Sequence, residues 1–238
     1  YVYKGDVSKW KKFVYGILAL NYHHLTNKAA YQPDSVIKFT DLAMASVNDD
    51  FDIPFDATRN DDANFFGTYR DNLSTFRQSN FIVKLLDGTT LSGAVNKDPR
   101  ISHMLNISAD TSGTGNGGYK GVDPVVGDPF NGVTTGANAR KRVPNPWGDS
   151  TYANPSASVF TNTGKFLFQN KAVMPVMTYA QMQFIKAEAA FRKGNTALAY
   201  TAYLNGINAH FDFINRVYSS VRSAANIYSG SPISTAAR

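Results

Sequence analysis

Residues 178–194 read TYAQMQFIKAEAAFRKG, and this stretch decides the fold. Thr178 is a suitable N-cap, and apolar side chains recur from Met182 onward at spacings of three and four residues, which predicts an amphipathic helix. Gly194 is expected to end this helix, because glycine tolerates the left-handed backbone of a helix C-terminus. A partner helix is predicted over residues 196–217. Small residues along two neighbouring helices are typical of a tetratricopeptide unit, so we predict a tetratricopeptide-like pair.

A second pair of helices is predicted near the start of the chain. Asp6 is a suitable N-cap for a helix over residues 7–27, whose apolar side chains form one stripe. A second helix is predicted over residues 33–47, because its proline falls in the first turn, where proline is tolerated. A single tetratricopeptide-like pair cannot bury its own face, so we expect the two pairs to pack together. Trp10 and Phe13 are expected in the core that they share.

The segment between the two pairs, residues 48–175, has a different character. It is rich in Gly, Asn, Asp, Ser, Thr and Pro, and its helical periodicity is weak. Its many aromatic side chains favour an ordered, loop-rich insertion, with a candidate strand at residues 165–169. The prediction is therefore a mainly α-helical fold in one structural domain: scaffold segments 1–47 and 176–218, the ligand-binding insertion, and a weakly ordered tail over 219–238.

Composition excludes several classes of protein. The chain has 238 residues, of which 43% are hydrophobic and 18% charged, which is typical of a folded protein. It has no cysteine, so disulfides, thiolate metal sites and a cysteine nucleophile are excluded. The net charge is +6, but basic residues are densely clustered only at 140–142, so no nucleic-acid partner is expected. No apolar run approaches the roughly 20 residues of a membrane-spanning helix.

Motifs that would indicate a cofactor, a metal or catalysis are weak. Residues 113–118 match the dinucleotide fingerprint by letters, but Asp-Pro dipeptides follow where a helix is needed. The acidic clusters at 49–52 and 60–62 offer oxygen ligands to calcium, yet they lack the spacing of a calcium loop and are better explained as turns. No carboxylate pair can be assigned to hydrolysis. We therefore expect no cofactor and no metal, and the residues assign no catalytic role.

The insertion does contain a pattern that is typical of ligand binding. Its aromatic rings stand beside short polar side chains, which suits sugars and suits peptides nearly as well. The preferred stacking ring is Trp147, because Pro144 and Pro146 stiffen its loop and Gly148 leaves one ring face open. The alternative is that this indole fills the interior of the insertion. The other candidate ligand-binding residues are Tyr69, Tyr119, Asn64, Asp62 and Arg70.

Four segments together resemble the SusD/RagB family of Bacteroidetes outer-membrane nutrient-binding lipoproteins, in its SusD-like branch. They are YKGDVSKWKKF at residues 3–13, NDDANFFGTYR at 60–70, DPR at 98–100, and the stretch at 178–194. One departure is Gln181, which stands where the family usually has glutamate. The resemblance covers most of the chain, and it also implies a fragment that lacks both termini of the family's domain.

The resemblance implies a tetratricopeptide-like scaffold with a loop-rich, ligand-binding insertion. It further implies non-catalytic binding of oligosaccharides at the extracellular face of the outer membrane, and delivery to a TonB-dependent, SusC-like transporter. The membrane would be reached only through a lipid anchor outside this chain. The alternative is a peptide-binding or protein–protein interaction scaffold that binds no glycan.

Overall fold

A computed structural model describes residues 2–73, 75–90, 97–108, 118–130, 142–147, 164–220 and 232–235, with side chains to residue 216 in the last helix. The helices in these ranges are α1 (Val7–His23), α2 (Pro33–Leu42), α3 (Asn80–Leu86), α4 (Ile101–Met104), α5 (Tyr179–Arg192) and α6 (Thr196–Ser220). Two short strands, β1 (Phe51–Ile53) and β2 (Met174–Met177), pair antiparallel. The predicted mainly α-helical class is confirmed. None of the described helices is both long and apolar enough to cross a membrane.

The chain divides into two compact units. The first, which we call the helical unit, comprises Tyr1–Pro54 and Val173–Arg216. The second, which we call the loop-rich unit, comprises Phe55–Ala172 and Val217–Arg238. Both strands lie in the helical unit, and α3 and α4 lie in the loop-rich unit. Most of the tail predicted over residues 219–238 lies outside the described residues.

The core of the helical unit is formed by α1, α2 and α5. Their buried side chains meet in one cluster that includes Ala19, Val36, Met182 and Ala189, and Met44, which follows the end of α2, also belongs to it. The approach is close: a β-carbon added to the glycine at position 16 of α1 would stand 2.2 Å from the sulfur of Met177. Met177 belongs to β2, so the lack of a side chain at this glycine lets α1 lie close to the strand.

The predicted boundaries of the helices hold where a cap defines them. The Thr178 hydroxyl accepts a hydrogen bond from the Gln181 N–H at 3.2 Å, and Gly194 has a φ of +84°. The second helix, predicted to reach residue 47, ends at Leu42 instead, because the backbone leaves the helical region at Ala43 and Ser46 caps a separate 3-10 turn. The first helix likewise ends at residue 23 rather than 27.

Trp10 is more exposed than predicted. Its side chain is 41% exposed, and its ring makes edge contacts with Tyr3, Phe13 and Phe51. Phe13 is partly buried and packs against the core cluster. The tryptophan therefore belongs to an aromatic group at the margin of the core.

The loop-rich unit has its own small core between α3 and α4, made of Val83, Leu86, Ile101 and Leu105. Its irregular backbone is held by side-chain amides and by two isolated bridges, Ser79 with Val122 and Ile107 with Tyr119. The prediction of a strand at residues 165–169 is wrong. A 3-10 turn occupies Phe166–Phe168, because the backbone at 164 and 166 has a positive φ that a strand does not accommodate.

Candidate functional site

Two of the exposed aromatic rings on the loop-rich unit lie in the same segment as the polar residues that the sequence singles out. Tyr69 is 52% exposed and Phe65 is similarly open. Tyr69 lies in a 3-10 turn, Thr68–Arg70, and its N–H donates to Oδ1 of Asn170 at 2.8 Å. We call Phe65, Tyr69, Asp62 and Arg70 the Tyr69 surface. Its tyrosine is therefore presented by an anchored backbone.

The two charged members of the Tyr69 surface both make hydrogen bonds with the turn at residues 58–62. The Thr58 hydroxyl and the Arg59 N–H donate to Asp62 and lower the pKa of its carboxyl. Arg70 donates from Nη1 to the carbonyl of Asn60 at 3.2 Å, two residues before Asp62 in the chain. An ionised carboxylate and a guanidinium supply an acceptor and donors that suit hydroxyl groups.

Asn64, another predicted ligand-binding residue, is buried and fully engaged in the framework. Its amide donates to the carbonyls of Leu167 at 2.6 Å and Gln169 at 3.0 Å. Its Oδ1 accepts the N–H of Phe66 at 3.2 Å. The side chain thus ties residues 64–66 to the 3-10 turn at 166–168, and it positions the site from within.

Trp147 does not stand out as the exposed stacking ring that its proline-rich loop predicts. The indole is only 4% exposed, and its Nε1–H donates to the carbonyl of Phe66 at 2.7 Å. The Asn145 side chain accepts the backbone N–H of Trp147 at 3.1 Å, which turns the ring inward. The expected platform is therefore corrected: the alternative, an indole that fills the interior, describes the structure. Gly148 lies outside the described residues.

Tyr119 is part of the packing around α3 and α4. Its ring contacts the buried cluster there, and the Lys97 ammonium stands 4.7 Å from the ring centroid. Burial raises the pKa of its hydroxyl. Of the six candidates, Tyr69 is exposed, and the Arg70 guanidinium reaches the turn at Asn60 that precedes Asp62. The other three contribute to the interior or to the α3–α4 packing.

Sequence reasoning missed a cavity of about 490 Å³ in the loop-rich unit. Four phenylalanines line it, together with aliphatic side chains such as Leu73 and Ile82, and we call it the phenylalanine cavity. The four are Phe66, Phe76, Phe166 and Phe168. The Phe66 ring also contacts the Phe65 ring edge to face, with centroids 5.4 Å apart. The cavity therefore begins one ring away from the Tyr69 surface.

The polar side chains that line the cavity are engaged with the protein itself. The Gln78 amide donates to the carbonyls of Asn106 at 2.9 Å and Lys120 at 2.6 Å, and it accepts the Asn106 N–H at 3.1 Å. The Asn106 amide donates to the carbonyls of Asn145 and Pro146. Arg77 donates to the carbonyl of Phe76 and lies 4.0 Å from the buried Asp128. What the cavity offers to a ligand is therefore mainly apolar surface.

Replacing Asn64 with leucine is expected to destabilise the loop-rich unit. The change keeps the number and branching of the side-chain heavy atoms but leaves the carbonyls of Leu167 and Gln169 without their donor, a loss of about 1–3 kcal/mol for each buried group. Urea unfolding measures the difference. The matched control is Asn72→Ala, which removes an exposed amide that donates to the Phe65 carbonyl and is expected to cost under about 1 kcal/mol. Equal losses in the two variants would contradict a framework role for Asn64.

The chain is similar to known proteins in both sequence and fold. Residues 1–220 match the SusD-like family model, described as starch-binding associating with outer membrane. The fold is similar to the crystal structure of a SusD homolog from Bacteroides fragilis, with a TM-score of 0.64 and 20% sequence identity. That match covers 98% of this chain and 46% of the homolog, so the chain spans about half the length of that protein. A search of curated proteins finds no match.

Proposed function

The chain belongs to the SusD-like family, and we propose that it binds oligosaccharides on the Tyr69 surface of its loop-rich unit. The family is one of starch-binding proteins that associate with the outer membrane. The observation that carries the proposed site is the exposure of two rings, Phe65 and Tyr69, in the segment that also holds Asp62 and Arg70. Sugar C–H faces stack on such rings, while the carboxylate and the guanidinium bond to hydroxyl groups.

We propose that the ligand is captured and passed on without cleavage. In this proposal the protein acts at the extracellular face of the outer membrane and delivers its ligand to a TonB-dependent, SusC-like transporter. The anchor would be a lipid attached outside this chain. These parts rest on the family resemblance, and because the chain spans about half of the homolog, the activity of the whole protein is included in the proposal.

Removing the Tyr69 ring tests the site. Tyr69→Ala is expected to weaken binding of malto-oligosaccharides by about 2- to 13-fold, since one aromatic stacking contact contributes about 0.5–1.5 kcal/mol. Isothermal titration calorimetry with a panel of malto-oligosaccharides and other glycans measures this loss. The matched control is Tyr200→Ala, which removes a tyrosine that is 65% exposed on α6 of the helical unit. Equal losses of affinity in the two variants would show that Tyr69 is not part of the binding site. No binding to any glycan would contradict the proposal.

A peptide-binding or protein-binding role without glycan binding is the second candidate. The observation that favours it is the phenylalanine cavity, whose apolar walls would also suit a peptide side chain. The same calorimetry with a peptide panel separates the two roles. Affinity for peptides together with no affinity for glycans would replace the glycan proposal.

A further inference from the structure

We propose that the phenylalanine cavity is a second subsite, which takes an aryl or acyl group carried by an oligosaccharide bound on the Tyr69 surface. This inference rests on the proposed glycan binding and extends it. An unsubstituted glucose chain presents hydroxyl groups on every ring. The apolar lining of the cavity suits a part of the ligand that carries no hydroxyl groups.

The chemistry of the cavity wall favours an apolar occupant. The wall consists of phenylalanine rings and aliphatic side chains, and the polar groups of Gln78 and Asn106 are bonded to backbone partners. A sugar hydroxyl that entered would lose its hydrogen bonds to water and find few replacements, which is unfavourable. An aryl or acyl group gains from the same environment, because its apolar surface is removed from water.

The size of the cavity suits such a group. An apolar cavity of about 150 Å³ accommodates benzene. The phenylalanine cavity, at about 490 Å³, has room for an aryl ring and its linking atoms. Most pockets for small molecules have volumes between about 300 and 1,000 Å³.

The cavity lies next to the surface that is proposed to bind the sugar, with the Phe66 ring between them. Phe66 lines the cavity, and its ring lies 5.4 Å from that of Phe65 on the Tyr69 surface and 6.4 Å from that of Phe168. A substituent on a sugar that stacks at Phe65 is therefore within one ring of the cavity. This proximity favours a substituted oligosaccharide over an unrelated apolar molecule.

The wall of the cavity is held in place before any ligand arrives. Phe166 has a φ of +50°, an uncommon conformation for a residue other than glycine, and Asn64 bonds to the carbonyl of its neighbour Leu167. Backbone held in such a conformation is concentrated at binding and catalytic sites. A preformed wall loses little conformational freedom when an aryl group enters, so the apolar contact contributes fully to affinity.

The experiment compares two glycosides that differ only in the apolar group, methyl α-maltoside and 4-nitrophenyl α-maltoside, by calorimetry on the intact chain. The aryl glycoside is expected to bind about 10- to 100-fold more tightly, as burial of one ring predicts. In Phe76→Ala, which removes a cavity ring that is 58% exposed and not needed in the core, the ratio of the two affinities is expected to fall to about twofold. In Phe81→Ala, which removes a 67% exposed ring on α3 outside the cavity wall, the ratio is expected to stay unchanged.

Each outcome decides the inference. Equal affinities for the two glycosides, an affinity ratio that Phe76→Ala leaves unchanged, or no binding of the aryl glycoside would overturn it. Binding of N-acetylphenylalaninamide that depends on Phe76, with no affinity for the aryl glycoside, would overturn it in favour of a peptide ligand. Failure of the proposed function is distinguishable: the aryl glycoside would then bind with dependence on Phe76, while methyl α-maltoside would not bind and Tyr69→Ala would have no effect.

Discussion

Replacing Trp147 with alanine is expected to lower the free energy of unfolding of the loop-rich unit by about 3–5 kcal/mol. The indole is 4% exposed, so its removal leaves a cavity lined by side chains that cannot fully close on it. Its Nε1–H donates to the carbonyl of Phe66 at 2.7 Å, and that carbonyl loses its partner as well. Because Phe66 lines the phenylalanine cavity, affinity for an aryl glycoside is expected to fall with stability. Chemical denaturation followed by circular dichroism measures the first effect.

Two control variants separate the contributions. Trp147→Phe keeps most of the buried ring but removes the donor, so it is expected to cost about 1–3 kcal/mol. Trp10→Ala removes the second tryptophan of the chain, which is 41% exposed, and is expected to cost less than Trp147→Ala. A stable Trp147→Ala variant that has lost glycan binding would contradict the interior role and restore the exposed platform.

Trp147 shows that a local sequence pattern does not determine the direction in which a side chain points. The two prolines of its loop restrict the local backbone, but the direction of the ring depends on Phe66, which is 81 residues away in the chain. Asn64 is a similar case, since its partner Leu167 lies 103 residues further on. Short-range sequence patterns give no information on contacts at such separations. The phenylalanine cavity, which several distant segments form, was missed for the same reason.

The helices could be predicted because their signals are local. The cap at Thr178, the apolar spacing of α5 and the glycine at 194 lie within one short segment. The early end of α2 at Leu42 had a local signal too, since Ser46 is a typical cap for a new turn. The apolar residues around Ser46 favour a longer helix instead. The end of the helix is stabilised by Asp49, whose carboxylate accepts the N–H of Ala45.

The acidic cluster at residues 49–52, first considered as a calcium ligand set, has a partner that the sequence places far away. Arg216 of α6 donates to Asp50 at 3.0 Å and to Asp52 at 2.7 Å. Both carboxyl groups are buried, and Asp50 also accepts the N–H of Tyr179 at 2.6 Å, at the first residue of α5. One guanidinium therefore connects α6 to β1 and to the start of α5 within the helical unit.

Burial and the arginine act on this carboxylate pair in opposite directions. Burial raises the pKa of Asp50 to about 7, against the Tyr179 N–H and Arg216, which favour the ionised form. Burial also raises the pKa of Asp52. Both groups therefore bind protons more readily in the folded state than in the unfolded chain. Because the folded state binds these protons more tightly, the contribution of the two groups to stability increases as the pH falls from about 8 towards 5.

Replacing Arg216 with methionine is expected to cost about 3–5 kcal/mol of unfolding free energy at pH 8, because it leaves two buried carboxylates without a counter-charge. At pH 5 the loss is expected to be smaller, since protonation removes much of the uncompensated charge. Urea unfolding at both pH values measures the difference. The control is Lys193→Met, which breaks an exposed ion pair with Asp34 and is expected to cost under about 1 kcal/mol at either pH. A loss for Arg216→Met that is equal at pH 5 and pH 8 would show that the guanidinium acts by packing and not by charge.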